Sequence, residues 1–253
     1  MASVAGDWTY AALVEAARSD EMVVGLVLTG SRGRGLSVRP DSDWDVRLIA
    51  RDENLVECEA RYERSRGAAV DVAVFSLSQF EEVGALGSPN EWDRYSYAHA
   101  EVVLDKLDGE IGRLVAEKSV LPAAAATDLA ARALDAYINA YYRSAKNLRN
   151  GLAVEGHLDA AESILPFLTA LFAMHERVRP FNRFLRWELE TFPLGDARWT
   201  AESLLPRLEA ITATGSVEEQ RRLFRDFEPF ARQREMGDVI DGWEPDLAFL
   251  RGA

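Results

Sequence analysis

Met22-Val23-Val24-Gly25-Leu26-Val27-Leu28-Thr29-Gly30-Ser31-Arg32-Gly33-Arg34-Gly35, followed by Asp43-Trp44-Asp45-Val46, is the stretch whose reading decides the fold. Residues 22–29 form a short apolar run bounded by Asp20-Glu21 and Gly30-Ser31, the pattern of a buried strand. Gly, Arg, Ser and Pro over 31–42 mark a loop or a short helical turn, and 44–51 alternates as a second strand.

Working outward, 10–19 has helical spacing, 53–65 is a charged helical piece, and 68–75 is a third short β-branched run interrupted only by Asp71. A helix is expected over 78–86 and an edge strand over 101–104. Strands alternating with helices predict an α/β layer. From about Gly109 the texture becomes Ala- and Leu-rich and helical, with turn signals near Leu121-Pro122, Gly151 to Gly156 and Phe192 to Asp196. The expected fold is an α/β N-terminal domain, a small mixed sheet with helices over 1–115, followed by an all-α helical bundle over 116–253.

The chemistry gathers on the N-terminal half. On a strand, residues i and i+2 share a face, so Asp43 and Asp45 are expected side by side with Trp44 opposite. Adjacent carboxylates repel unless a cation lies between them. Asp71 on the neighbouring strand would complete an oxygen site for one or two Mg²⁺ ions, of the kind that clamps the attacking and leaving oxygens in phosphoryl or nucleotidyl transfer. Gly30 permits close backbone approach, Ser31 and the amides after it can hydrogen-bond phosphates, and Arg32 and Arg34 can neutralise them.

In this order and spacing, Gly30-Ser31-Arg32-Gly33-Arg34-Gly35 through Ser42-Asp43-Trp44-Asp45-Val46, with Asp71, resembles the signature of the DNA-polymerase-β-type nucleotidyltransferase superfamily. The likeness covers residues 22–76. A minimal domain followed by a helical bundle is similar in layout to bacterial aminoglycoside adenylyltransferases. The resemblance implies that Asp43 and Asp45 hold metal and that Asp71 completes the site or deprotonates the acceptor hydroxyl. It also implies that Ser31 and Arg34 grip the triphosphate. The activity implied is transfer of a nucleoside monophosphate, AMP from ATP or its equivalent from another NTP, to a hydroxyl of a small molecule. An aminoglycoside-like antibiotic is the acceptor the layout suggests, with antibiotic resistance or biosynthesis as the role. A protein side chain as acceptor, or a catalytically silent nucleotide-binding protein, are the alternatives.

In the helical half, 132–149 carries an apolar stripe opposite a basic one. Lys146, one of three lysines, is a candidate phosphate contact or an ordinary solvated cation. Asp159 and Glu162 on the next helix, expected to bend at Pro166, are expected to pair with that basic stripe in preference to binding an ammonium group. The histidines at 99, 157 and 175 have no ligand-like spacing.

Bulk properties narrow the partners. A net charge of −13 disfavours nucleic acid and suits a cationic small molecule. A single cysteine, Cys58, excludes an internal disulfide framework and a Cys-rich zinc site. Met1 to Trp8 lacks a basic targeting segment, and the apolar runs are too short to span a bilayer, so a cytoplasmic monomer or homodimer with no membrane partner is expected.

Overall fold

A computed structural model describes residues 8–36, 42–63 and 69–252. The chain divides into two compact units, Met1–Val120 and Leu121–Ala253. The first contains β1 (Val23–Leu28), β2 (Trp44–Ala50), β3 (Val70–Ser76) and β4 (Glu101–Asp105). Its helices are α1 (Tyr10–Ser19), α2 (Gly30–Gly33), α3 (Leu55–Tyr62), α4 (Leu77–Glu82) and α5 (Glu110–Ser119), with a 3₁₀ segment at Glu91–Tyr97. Helix α5 spans the sequence-based division at 115/116 and belongs wholly to the first unit.

The sheet is mixed, in the order β3-β2-β1-β4. β1 pairs antiparallel with β2 and β4, while β2 and β3 run parallel. A parallel neighbour cannot be reached by a hairpin, so α3 carries the chain back between them. All six residues of β1 are buried, which explains its unbroken apolar sequence. β3 lies at the sheet edge and alternates buried with half-buried residues. Asp71 occupies one of the half-buried positions.

Strand alternation sorts the side chains into two cores. Val46, Leu48, Val70, Val72 and Val74 pack with Leu13 and Ala17 of α1 and Cys58 and Tyr62 of α3. Ile49 and the flanking Phe75 pack on the other side with Phe80, Tyr97, Ile111 and Leu114. The local signals for the helices are plain. Thr9 caps α1 by accepting from the Ala12 amide at 3.2 Å, and Ser76 with Gln79 forms a reciprocal capping box on α4.

The second unit is helical: α6 (Ala123–Arg149), α7 (Ala153–Ala173), α8 (Leu185–Thr191), α9 (Ala201–Thr214), α10 (Val217–Gln233), α11 (Gly237–Asp241) and α12 (Leu247–Arg251). Its core is aromatic, with Tyr137, Phe167, Trp199 and Phe227 fully buried and the Phe167 and Phe227 rings edge-on at 4.9 Å. Helix α7 continues through Pro166. Asp159 and Glu162 do pair with the basic stripe: Arg143 lies 3.0 Å from Asp159 and 2.8 Å from Glu162, and Asn147 donates to Asp159. No helix among the described residues is long and apolar enough to cross a membrane.

Candidate active site

The site begins where β1 ends. Thr29 donates its backbone N–H to the Asp45 carbonyl at 2.8 Å and its hydroxyl to the same oxygen at 3.1 Å, which fastens the end of β1 to the start of β2. Gly30 then turns the chain with φ +65°, a left-handed conformation that side chains resist. A Cβ placed on Gly30 would lie 1.7 Å from Oδ2 of Asp45, so the carboxylate rests directly against the bare glycine backbone. The turn is equally close on its other side, where a Cβ on Gly33 would come within 2.5 Å of the Leu28 carbonyl oxygen. Ser31 lies between these glycines and is buried.

In the parallel ladder Asp45 and Asp71 are direct register partners. The residues on either side, Trp44 and Val46 on β2 and Val70 and Val72 on β3, belong to or flank the first core, so both carboxylates project from the opposite face. The two strands thus bring them together, each half-buried.

Asp43 stands at the entry to β2. It lies one residue outside β2, where the alternation of a paired strand no longer dictates side-chain direction. Among the described residues no three or more His, Cys, Asp or Glu side chains form a group able to hold a metal ion by themselves. The preassembled three-carboxylate cluster is therefore not found, whereas the Asp45 and Asp71 pairing is.

The arginines of the turn are turned inward to the backbone. Arg34 is buried and donates from Nη1 to the Gly30 carbonyl at 2.7 Å and from Nη2 to the Tyr95 carbonyl at 2.8 Å, with its guanidinium 4.7 Å from the Tyr95 ring. It braces the glycine turn against the 3₁₀ segment. Arg32 donates to the carbonyls of Ser42 and Asp43 and lies 4.1 Å over the Trp44 ring, which itself stacks on Tyr10 at 3.8 Å. Arg32 thereby anchors the chain entering β2. Lys146 is exposed on α6, its ammonium 5.6 Å from the Tyr142 ring.

Sequence reasoning passed over Arg47. It follows Asp45 by two residues on β2, so alternation puts it on the carboxylate face, and its register partner Ala73 is small. Its Nη2 lies 3.7 Å from Oδ2 of Asp93, a buried residue of the 3₁₀ segment that accepts from Ser96 Oγ at 2.5 Å. Burial raises the pKa of neighbouring Tyr97 far above the ordinary phenol range, and the charge of Asp93 adds to the shift.

No family model matches the chain, and no curated protein matches it. Among solved structures, the chain has a distant likeness to a nucleotidyltransferase-like protein from Exiguobacterium sibiricum 255-15. The identity is 9% and the TM-score 0.40, over 83% of this chain and 74% of the other. A likeness that faint carries no weight in the functional reading, which rests on the site.

Proposed function

We propose that this chain is a Mg²⁺-dependent nucleotidyltransferase that moves a nucleoside monophosphate, AMP from ATP in the first instance, onto a hydroxyl of a small cationic acceptor such as an aminoglycoside. The observation that carries the reading is the juxtaposition at the β1 to β2 junction. A glycine turn with no room for a side chain lies under Asp45, and Asp45 stands in register with Asp71.

The donor set suits the ion. Mg²⁺ takes hard oxygen ligands and is commonly held by one or two carboxylates with substrate phosphates completing the shell, so a carboxylate pair without a closed protein cage fits a metal that arrives with the nucleotide. Asp45 and Asp71 would hold it, with Asp43 joining from just upstream. When bound, the ion supplies charge neutralisation at the phosphates and at the attacking and leaving oxygens. The chain's own part is positional. Ser31 and the Gly30 backbone offer donors to the phosphates beside the carboxylates, and Arg34 and Arg32 keep that turn and the entry to β2 in place. The acceptor oxygen forms the new bond to the α-phosphorus, the bond from that phosphorus to the β-phosphate oxygen breaks, and pyrophosphate leaves. The acceptor proton passes to a carboxylate, for which Asp71 on the edge strand is the candidate.

The net charge of −13 supports a cationic acceptor over a polyanionic one. The test uses purified protein, each α-³²P-labelled NTP, Mg²⁺ and a panel of aminoglycosides and amino-sugars, with pyrophosphate and labelled product followed together. Labelled product from the wild type that disappears in Asp45→Asn, with an unchanged melting temperature, is the expected result. Asp45→Asn turning over at the wild-type rate would refute the site. Nucleotide binding without any small-molecule product would move the acceptor to a protein side chain.

A further inference from the structure

We infer that Arg47 is the triphosphate-binding cation of this site, held by Asp93 until the nucleotide arrives; the inference rests on the nucleotidyl-transfer reading and adds to it a residue and a mechanism of recruitment. Three observations support it. Arg47 shares a sheet face with Asp45 and Asp71, two residues along β2 from the first and beside Ala73, whose methyl leaves room for a long side chain. Its Nε is buried and has no hydrogen-bond partner. Its ion pair among the described residues, Nη2 to Asp93 at 3.7 Å, is well beyond the 2.7–2.9 Å of a close charge-assisted hydrogen bond.

A guanidinium has five N–H donors, and leaving them short of acceptors in a mostly enclosed place is unfavourable. Arg32 and Arg34 are better supplied, because each donates to two carbonyl groups at 2.7–3.2 Å. Arg47 is thus a cation on the carboxylate face with donating capacity to spare. Asp93 does not claim it fully, since one of its oxygens is engaged by the Ser96 hydroxyl. A polyphosphate brings many acceptor oxygens with negative charge, and the side of the carboxylate pair away from the glycine turn is where such a chain would need a counter-charge. Asp93 then serves as a holding partner, which keeps the guanidinium from collapsing onto Asp45 or Asp71 while no nucleotide is present.

The experiment measures Mg²⁺-dependent binding of ATP and of inorganic tripolyphosphate by calorimetry for wild type, Arg47→Met, Arg47→Lys and Asp93→Asn, with KM and kcat where turnover is found. The expected result is a loss of at least about tenfold in affinity for both probes in Arg47→Met, the scale of one charge-assisted contact. Partial recovery is expected in Arg47→Lys, with the acceptor KM unchanged. Asp93→Asn should act in the opposite direction and tighten tripolyphosphate binding several-fold, because the competing charge is gone while Ser96 can still donate to the amide oxygen. A pair with only a structural role would weaken binding in both variants or in neither, and either pattern overturns the inference. Should Arg47→Met fail to fold, Arg47→Lys and Asp93→Asn still decide between the two. Arg47-dependent tripolyphosphate binding with no nucleotide transfer by the wild type would sink the proposed function and leave the anion site standing. Wild-type transfer with Arg47→Met equally active would do the reverse.

Discussion

Replacing Gly30 by alanine tests the centre of the argument, because two separable costs meet at that atom. The first is conformational: a side chain at φ +65° costs about 1–2 kcal/mol. The second is steric. The new methyl would coincide with Asp45 Oδ2 at 1.7 Å and crowd its Cγ at 2.7 Å, so the carboxylate must leave its rotamer or the turn must open, at a further ~1–3 kcal/mol. For a unit of 120 residues the sum, about 2–5 kcal/mol, corresponds to a fall in melting temperature of roughly 8–20 °C. The catalytic loss should be larger in proportion, about a hundredfold in kcat/KM, since a displacement of order 1 Å at a reacting group has that effect. The assay is a double-mutant cycle by thermal or urea unfolding, with Gly30→Ala measured in wild type and in Asp45→Ala. Removing the carboxylate removes the steric part and leaves the backbone part, so the two substitutions should couple by about 1–2 kcal/mol. Additive effects, or Gly30→Ala with undiminished turnover where wild type is active, would refute the idea that the glycine exists to seat Asp45.

Other consequences are open to measurement. Arg34→Ala removes two short guanidinium-to-carbonyl hydrogen bonds and should destabilise the first unit by about 2–3 kcal/mol while speeding hydrogen exchange more at the Gly30 turn than at α3; equal protection at the turn in both proteins would contradict the bracing role. Lys118 is 3% exposed between the rings of Phe80 and Tyr97, and burial pulls its pKa down to about 8. Below pH 8 both folded and unfolded chains carry the proton and the folded state bears the full penalty. Between about 8 and 10.5 the unfolded chain holds more protons, so this lysine makes stability rise with pH across that window. Lys118→Met should remove that slope and stabilise the protein near neutral pH by about 1–2 kcal/mol; a slope that survives the substitution would assign it to another group.

Much of the sheet and the carboxylate pairing was legible in the sequence because both depend on local alternation. Asp45 and Asp71 each interrupt a short apolar run, and two such runs joined by a helix of the length of α3 must lie side by side in parallel. Asp43 lies one residue before β2, so alternation along the paired strand does not by itself fix its direction. The edge position of β3 was hidden for a related reason, since an edge strand with one covered face and a central strand share an apolar sequence. The arginines could not be sorted by spacing at all. Arg32, Arg34 and Arg47 are alike in the sequence, and what separates them is which carbonyls the folded backbone presents to each. In the helical half, the pairing of Arg143 with Asp159 and Glu162 was readable from the opposed charge stripes of adjacent helices.

The hydrogen bonds from Thr29 to the Asp45 carbonyl have a bearing on how such sites are recognised elsewhere. Gly30 and Asp45 are held together by the ladder between β1 and β2, with Arg32 as a second clasp, and not by the number of residues that separate them. A search pattern that insists on a fixed gap between glycine and carboxylate is narrower than the chemistry requires, whereas one that asks for a side-chain-free turn facing a carboxylate across two paired strands would find the same arrangement.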